Sequence, residues 1–373
     1  MNRPDALRVV QRARFGVAVL LAVTGVALAG ARHAAWSDDG SDDGSGDGSN
    51  DGSGDGSGDG SGDALARPRP DAAAGRGDGE TALPSLSIDW KGNILTVRGE
   101  HLPGRSLEIL YIEAYCRPNS QTTDWVAHTV VGHRTELVAR SDDGRRLELR
   151  STLEDGVVVD HVISATSDEV DFRLRAHNPA ATRSDAHWAQ PCIRVGAFTG
   201  LGDPKKAASY EYLKKSFVFI DGKLSMLSAI PAADWATEAR YVPGQVWAAP
   251  GVDRADVNPR PLSSRVPSNG IIGCFSAGDS QILATAWEPY QELFQGVITC
   301  LHSDFRLGGL EPGETKTVRG KLWVLPNDVP ALLARYEKEF PEQLRRHAAA
   351  RAEKASPRGA DSPGGPDRGQ SDR

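Results

Sequence analysis

Two histidine–aspartate pairs are the residues of this sequence whose types and spacing best suit chemistry. Asp185 and His187 stand two residues apart, and so do His302 and Asp304. On a β-strand, residues i and i+2 project from one face, so each pair places an imidazole beside a carboxylate. A neighbouring carboxylate raises the pKa of a histidine and fixes its tautomer, which suits general acid–base catalysis. The alternatives are a structural hydrogen bond within each pair and, where both pairs meet, a divalent-metal site.

Other polar and aromatic residues extend this set of candidates. Glu288 and Glu292 flank Tyr290. An exposed carboxylate at either position could act as a base, and the alternative is a solvated acidic residue without a role. Pockets for sugar rings combine aromatic platforms with fixed polar groups, although each tryptophan alternatively belongs to the core. The catalytic candidates are His187, Glu288, Glu292 and His302, and the substrate-binding candidates are His177, Asn178, Trp188, Gln245, Trp247, Tyr290, Asp304 and Arg306. We expect no resident metal or cofactor.

The charge distribution argues against a nucleic-acid partner. The chain has 373 residues and a formal net charge of −7, with aromatic residues at 6 % and charged residues at 25 %. Residues 37–63 contain nine aspartates and no basic residue, so most of the acidity belongs to this one tract. The remaining central part is close to neutral, and a nucleic-acid-binding domain needs a basic face to displace counterions from phosphate.

The N-terminus has the features of a secretory signal peptide. Arg8, Arg12 and Arg14 precede an apolar run from Phe15 to Ala31, which ends in small residues that fit a cleavage site. We therefore predict a signal peptide over residues 1–31 and a secreted, periplasmic or cell-envelope location. The alternative is an uncleaved anchor, but the run is shorter than the ~20 residues of a membrane-spanning helix. We expect no stable membrane span after cleavage.

Two segments of the chain have the composition of disordered polypeptide. Residues 32–82 contain the Asp/Gly/Ser-rich tract, which lacks apolar residues to bury and lacks the glutamate that closes a calcium loop. Residues 347–373 are polar and rich in proline and glycine. The ordered domain is therefore predicted to span residues 83–346, between a flexible acidic spacer and a disordered tail.

The ordered domain is predicted to be all-β, a large antiparallel β-sandwich (a supersandwich) with one C-terminal helix. Short runs of alternating apolar and polar residues, separated by turn residues, are typical of this class. Asp328 and Pro330 begin the helix, and Leu332, Leu333, Tyr336 and Phe340 recur at helical spacing. The predicted strands are 86–90, 94–97, 146–151, 157–163, 170–176, 215–220, 270–275, 281–287, 296–301 and 317–325. The Pro-rich segment 230–269 is predicted to be a functional loop.

Four cysteines, Cys116, Cys192, Cys274 and Cys300, form an even set in a chain that we expect to be exported. Export favours disulfide bonds, whereas a core of this size is stable without them. Four cysteines allow three pairings, and the sequence does not choose between them. Buried free thiols are the alternative.

The C-terminal part of the sequence resembles the galactose-mutarotase-like supersandwich group, in an uncharacterised secreted bacterial branch. The resemblance is loose over residues 83–345 and close only at the end of that range. It is carried by Gly308-Gly309-Leu310-Glu311-Pro312-Gly313-Glu314, by the strand Thr317 to Leu325 with its Arg319-Gly320 pair, and by the helix containing Leu332-Leu333-Ala334-Arg335-Tyr336. It implies a concave sheet face that binds a saccharide.

The resemblance also implies two kinds of chemistry. Mutarotase-type members use a histidine as acid and a glutamate as base, for which His187 and either Glu288 or Glu292 are the nearest candidates. Lyase members use a tyrosine or histidine base with asparagine and arginine, and His177, Asn178, Tyr290 and Arg306 have those types.

Three functional hypotheses follow. The first is a secreted carbohydrate-active enzyme, an epimerase or a lyase, in which His187, His302 and a glutamate meet in one pocket. The second is a non-catalytic saccharide-binding protein, which predicts exposed aromatic residues without an acid–base pair. The third is a structural envelope protein with a filled sheet face.

Overall fold

The computed structural model describes residues 85–119, 125–202, 211–230, 246–253, 256–257, 263–296 and 299–355. The predicted signal peptide, the acidic spacer, Gln245 and residues 356–373 lie outside these ranges. Within them, no helix combines the length and apolar character that a membrane crossing requires.

The described residues form two antiparallel sheets, which confirms the predicted β-sandwich. The first, sheet A, contains β1 (Ser87–Lys91), β2 (Ile94–Arg98), β3 (Ser106–Cys116), β4 (Val130–Val131), β9 (Trp188–Arg194), β12 (Val246–Ala248), β15 (Tyr290–Gln295) and β16 (Cys300–Arg306). Its strand order is β1-β2-β3-β9-β16-β15-β12, with β4 paired to β3.

The second sheet, sheet B, contains β5 (His133–Arg140), β6 (Arg146–Leu153), β7 (Val158–Ala165), β8 (Glu169–His177), β10 (Ser216–Ile220), β11 (Lys223–Met226), β13 (Pro267–Phe275), β14 (Gln281–Glu288) and β17 (Thr315–Pro326). The order of these nine strands in the sheet is β11-β10-β13-β14-β17-β8-β7-β6-β5. Strands β6, β7 and β8 alternate between buried and more exposed residues, so one face of each lies in the core.

The main core lies between the two sheets and is centred on aromatic side chains. Trp287 of sheet B packs between Phe172, at a ring-centroid distance of 5.1 Å, and Phe305 of sheet A, at 4.9 Å. All three rings are buried. We call the face of each sheet that is turned to this core its inner face and the opposite face its outer face.

Within the described ranges, four α-helices accompany the sheets: α1 (Trp125–His128), α2 (Gly196–Thr199), α3 (Val329–Glu339) and α4 (Pro341–Ala355). Asp328 caps α3, because its side chain accepts a hydrogen bond of 2.9 Å from the amide of Ala331. Leu332 and Tyr336 then pack with Trp323 on the outer face of sheet B. The apolar stripe of α3 therefore serves packing.

The ordered C-terminal part extends beyond its predicted end at residue 346. Helix α4 continues to Ala355, so the prediction of a disordered tail is wrong for residues 347–355. His347 is buried, and its Nδ1 atom lies 2.9 Å from the carbonyl oxygen of Pro267. This anchor to β13 was not recognisable from the polar composition of the segment.

A buried histidine on β7 makes the stability of the fold depend on pH. His161 Nδ1 lies 2.9 Å from the Tyr111 hydroxyl, and Nε2 lies 3.1 Å from the Ser151 hydroxyl. Burial lowers the pKa of His161 from its usual 6.5 to about 3, against a smaller opposing effect of Asp160. His161 is therefore neutral in the folded protein at pH values where the unfolded chain takes up a proton.

We predict that this histidine destabilises the fold below about pH 6.5. Since the pKa is lowered by folding, its contribution is complete above the unfolded value and is lost as the pH falls towards 3. Between pH 8 and pH 5 the loss amounts to about 2 kcal/mol. Urea unfolding at both pH values measures it, with His161→Gln as the reference variant. An equal decline in both proteins contradicts the prediction.

Candidate functional site

The outer face of sheet A collects the polar side chains of β16. Leu301 and Phe305 belong to the core between the sheets. Side chains alternate along a strand, so the outer face receives Cys300, His302, Asp304 and Arg306, as the sequence spacing predicted. Of these four side chains, three are buried and that of Arg306 is partly exposed.

The structure places the two predicted stretches side by side. Strands β9 and β16 pair antiparallel, with Trp188 opposite Arg306 and Cys192 opposite His302. The carbonyl oxygen of His187 accepts hydrogen bonds of 2.7 Å from the amides of Leu307 and Gly308. The segment before β9 is thus held against the end of β16.

His187 does not pair with Asp185, its neighbour in the sequence. Its Nδ1 atom lies 3.5 Å from Oδ2 of Asp256, and its Nε2 atom has no hydrogen-bond partner among the described residues. Asp185 is instead exposed and pairs with Arg183 at 3.2 Å. The two residues precede β9, so the strand alternation that predicted their pairing does not apply to them.

Asp256 is held in place by three further groups. Its Oδ1 atom accepts a hydrogen bond of 2.7 Å from the amide of Asn119. Oδ2 lies 3.5 Å from the Arg306 guanidinium, and the Asp256 carbonyl oxygen accepts a hydrogen bond of 3.1 Å from Gln291. Arg306 also donates to the Gln291 side chain. We call His187, Asp256, Gln291 and Arg306 the His187 cluster.

The charges around Asp256 keep it ionised. Burial raises its pKa, but the hydrogen bonds and charge of His187, the Asn119 amide and Arg306 outweigh burial and lower the pKa below its usual value. The result is a fixed carboxylate at one ring nitrogen of His187. Such a carboxylate orients an imidazole and fixes its tautomer.

A second cluster lies further along β16 and is more deeply buried. His302 Nδ1 lies 3.5 Å from Oδ1 of Asp304, while its Nε2 lies 3.5 Å from Cys300 Sγ and 3.9 Å from Glu113 Oε2. Cys192, Cys300 and His302 are all buried. We call Glu113, Cys192, Cys300, His302 and Asp304 the His302 cluster.

Mutual interactions shift the ionisation of this cluster. Burial raises the pKa of the Cys300 thiol, but the hydrogen bond from Cys192 and the charge of His302 outweigh it and lower the pKa to about 6. Burial raises the pKa of Asp304 to about 7, against the hydrogen bond and charge of His302. The His302–Asp304 pair predicted from the sequence is present, and the cysteines beside it were not part of that prediction.

The two histidines do not share one group of contacts. Arg306, which belongs to the His187 cluster, is four residues beyond His302 on β16, a separation of roughly 13 Å at the rise of a strand. The stretches therefore lie on one sheet, but they build two neighbouring clusters. The expectation of a single group that contains both histidines and a glutamate is replaced by this arrangement.

The two candidate glutamates are far from equivalent. Glu292 lies opposite Asp304 in the pairing of β15 with β16 and is fully buried on sheet A. Glu288 belongs to sheet B, where it follows the core residue Trp287 and pairs with Arg319. It lines a groove of about 670 Å³ together with Arg346 of α4. Glu288 thus pairs with Arg319 on sheet B and not with His187, and its catalytic role stays a prediction.

The aromatic substrate-binding candidates are not sugar platforms. Trp188 and Trp247 are fully buried, and Trp247 is part of the core between the sheets. Tyr290 is also buried, with its hydroxyl 3.2 Å from His347. The polar residues beside these rings in the sequence made them resemble exposed platforms, but each ring lies on a strand of sheet A.

The remaining polar candidates divide between structural roles and the clusters. Asn178 is buried and donates to the carbonyl oxygens of Thr182 and Leu310, so it fastens a loop. His177 bonds to Thr315 at 3.0 Å on sheet B, whereas β16 belongs to sheet A. Both residues thus make hydrogen bonds within the fold, and their substrate-binding role stays a prediction. Asp304 and Arg306 do belong to the two clusters.

The sequence analysis did not identify four residues of the two clusters, namely Asp256, Gln291, Glu113 and Cys192. Asp256 lies in the Pro-rich segment that the sequence marks as a functional loop, which was the available signal. Gln291 and Glu113 carried no recognisable spacing, because a register shift interrupts each of the strand pairings beside them.

Comparisons with known proteins concern the fold alone. No protein-family model matches the chain, and no curated protein does. Among solved structures, a candidate aldose 1-epimerase from Escherichia coli K12 is 12 % identical, with 64 % of this chain and 98 % of that chain covered and a TM-score of 0.35. A galactose mutarotase-like protein from Lactobacillus casei is 8 % identical, with 64 % and 99 % covered and a TM-score of 0.32.

A third match is part of a larger enzyme. The alpha-N-acetylgalactosaminidase from Bifidobacterium bifidum is 9 % identical, with 71 % of this chain and 39 % of that chain covered and a TM-score of 0.35. The first two matches belong, by their descriptions, to the group that the sequence resembles. At these scores the likeness assigns no ligand, activity or residue role to this chain.

Proposed function

We propose that this protein is an exported enzyme that transfers protons on a saccharide at the His187 cluster, in the manner of an epimerase or a lyase. The observation that carries the proposal is the surroundings of the His187 ring, which has a fixed carboxylate at one nitrogen and no hydrogen-bond partner at the other. Asp256 faces Nδ1 at 3.5 Å, and Nε2 has no protein partner among the described residues. Export is supported by the basic and apolar N-terminal sequence.

The chemistry assigned to His187 follows from its surroundings. With Nδ1 turned to Asp256, Nε2 is the ring atom left to accept a proton from a sugar oxygen or carbon and to return it. Nε2 is buried in the structure, so this transfer requires its surroundings to open to the sugar. Arg306 is partly exposed, at 26 % of its side chain, and offers a cationic group to the oxygens of the same sugar. Positioned general acid–base groups of this kind contribute about 10²- to 10⁴-fold to a rate.

A purely binding role is less well supported. Non-catalytic saccharide binding through aromatic stacking requires exposed rings, and the exposed large hydrophobic residues of the described chain are Val126, Leu137 and Val138. None of these is aromatic. The acid–base pair is therefore the feature that separates the hypotheses.

The test is a screen of the full-length protein against reducing sugars and uronic-acid polymers, with anomeric exchange followed by NMR and unsaturated products by absorbance. We expect one class to react and His187→Gln to lower that rate by about 100-fold or more. His177→Gln is the matched control, because His177 is half-buried, lies on sheet B and bonds to Thr315 rather than to a residue of the His187 cluster. Full activity of His187→Gln refutes the assignment.

A further inference from the structure

We propose that the His302 cluster is a binding site for a zinc-class transition metal, with Cys192, Cys300, His302 and Glu113 as its four ligands. This site is separate from the proposed saccharide chemistry at His187. It joins strands β3, β9 and β16, which are neighbours in sheet A. Two sulfurs, one imidazole nitrogen and one carboxylate oxygen are donors that zinc accepts in tetrahedral geometry.

The distances fit a four-coordinate ion. The donor atoms of Cys192, Cys300 and His302 all lie within 4.8 Å of one another. Cys300 Sγ is 3.5 Å and Glu113 Oε2 is 3.9 Å from His302 Nε2. Ligands at about 2.0–2.3 Å from a tetrahedral zinc ion are separated from each other by about 3.3–3.8 Å. Small side-chain adjustments therefore suffice to bring the donors of Cys192, Cys300 and His302 to bonding distance. Glu113, near His302 Nε2 but outside that group of three, must turn further towards the cysteines to complete the set.

The orientation of His302 is the one that a metal ligand needs. Its Nδ1 atom faces Asp304 at 3.5 Å, which leaves Nε2 directed at the cysteine and the glutamate. A carboxylate at the second ring nitrogen is the usual support of a metal-bound histidine. Phe294 stacks on the imidazole at a centroid distance of 4.2 Å and an interplanar angle of 16°, which fixes the plane of the ring.

A glycine keeps the space beside the donors open. A Cβ atom at Gly296 would stand 2.1 Å from Cys300 Sγ and 3.2 Å from His302 Nε2. Any other residue at this position would therefore displace the donor atoms. Gly296 thus leaves the room that two of the four proposed ligands, Cys300 and His302, occupy.

Charge and access also favour a cation. Two thiolates and a carboxylate exceed the charge of a divalent ion by one, and Arg194, opposite Cys300 on β9, supplies a nearby positive charge. Glu113 is the partly exposed member of the set, at 34 % of its side chain, whereas the His302 side chain is exposed at 4 %. An ion can thus enter from the Glu113 side into an otherwise buried set of donors.

The competing state of the same atoms is a disulfide bond between Cys192 and Cys300. Both thiols are free in the structure and lie on adjacent strands. A disulfide removes both thiolates and excludes metal binding, so the two states are distinguishable by experiment. A disulfide in the protein recovered from its native compartment would overturn the proposal.

The experiment uses full-length protein that is reduced, stripped with a chelator and titrated with Co²⁺ and then Zn²⁺. We expect one ion per chain, with the absorption of thiolate-bound tetrahedral cobalt, which zinc displaces. Cys192→Ser and Cys300→Ser are expected to weaken binding by at least about 100-fold, and Asp304→Asn by about 10- to 100-fold. Cys274→Ser, a buried cysteine outside the cluster, is the control and is expected to bind normally.

A second measurement does not depend on the folding of any variant. Zinc is expected to protect Cys192 and Cys300 of the wild-type protein from alkylation in mass spectrometry, while Cys116 and Cys274 react at the same rate with and without metal. The proposal is overturned if wild-type protein with reduced thiols binds no metal at micromolar concentration. It is also overturned if zinc leaves the alkylation of both cluster cysteines unchanged.

Discussion

Replacing Asp256 with asparagine is expected to lower the saccharide-directed activity by about 100-fold or more, with little change in stability. The carboxylate faces His187 Nδ1 at 3.5 Å and is kept ionised by its neighbours. An amide at this position no longer places a negative charge at His187 Nδ1, and it allows the wrong tautomer. Steady-state rates on the substrate class found by the screen measure the effect.

The matched control is Asp185→Asn. It makes the same change two residues from His187 in the sequence, but Asp185 is exposed and pairs with Arg183. We expect this variant to keep its activity within about twofold. Equal losses in the two variants would contradict the assignment of Asp256 as the partner of His187.

Replacing Gly320 with alanine is also expected to have a large effect, and to lower the free energy of unfolding by about 2–3 kcal/mol. A Cβ atom at this position would stand 2.4 Å from the ring of Trp287, its partner in the pairing of β14 with β17. The ring cannot withdraw freely, because Phe172 and Phe305 pack against it at 5.1 Å and 4.9 Å. Overpacking of a filled core has this magnitude.

Chemical denaturation of the Gly320→Ala and Gly278→Ala variants, each compared with the wild-type protein, measures the loss in free energy of unfolding. A Cβ atom at Gly278 meets no atom within 4 Å, so the control is expected to change stability by less than about 0.5 kcal/mol. Adding Trp287→Leu to Gly320→Ala removes the clash, so the double variant is expected to be more stable than the two separate losses predict. Strict additivity would show that the ring contact is not the cause.

Much of the fold could be predicted from local patterns. Strands such as β6 (Arg146–Leu153) and β8 (Glu169–His177) alternate because one face of sheet B is buried and the other is more exposed. The helix at Asp328 carries its own capping signals. The Arg319-Gly320 pair also gains a physical reason, since the glycine accommodates Trp287.

Strands buried on both faces were harder to predict. Strands β15 (Tyr290–Gln295) and β16 (Cys300–Arg306) consist almost wholly of buried residues, many of them polar, so they show no alternation. The sequence therefore predicted no strand around Tyr290, and the strand predicted over 296–301 begins and ends several residues before β16. The same polar burial produces the two clusters.

The site was predictable only in part for a related reason. Residue spacing correctly joined His302 to Asp304, because both lie on one strand. The partner of His187 comes from the distant Asp256, and the cysteines beside His302 come from β9 and β16 together. Contacts between remote segments depend on strand register, which the sequence alone did not fix.

The most direct test of the proposed saccharide site is NMR of the histidine rings in the full-length protein during titration with the saccharide selected by the screen. We predict that the ring nitrogen signals of His187, assigned by their loss in His187→Gln, shift to saturation while those of the core residue His161 do not. A saccharide that binds to saturation and leaves His187 unshifted would contradict the account.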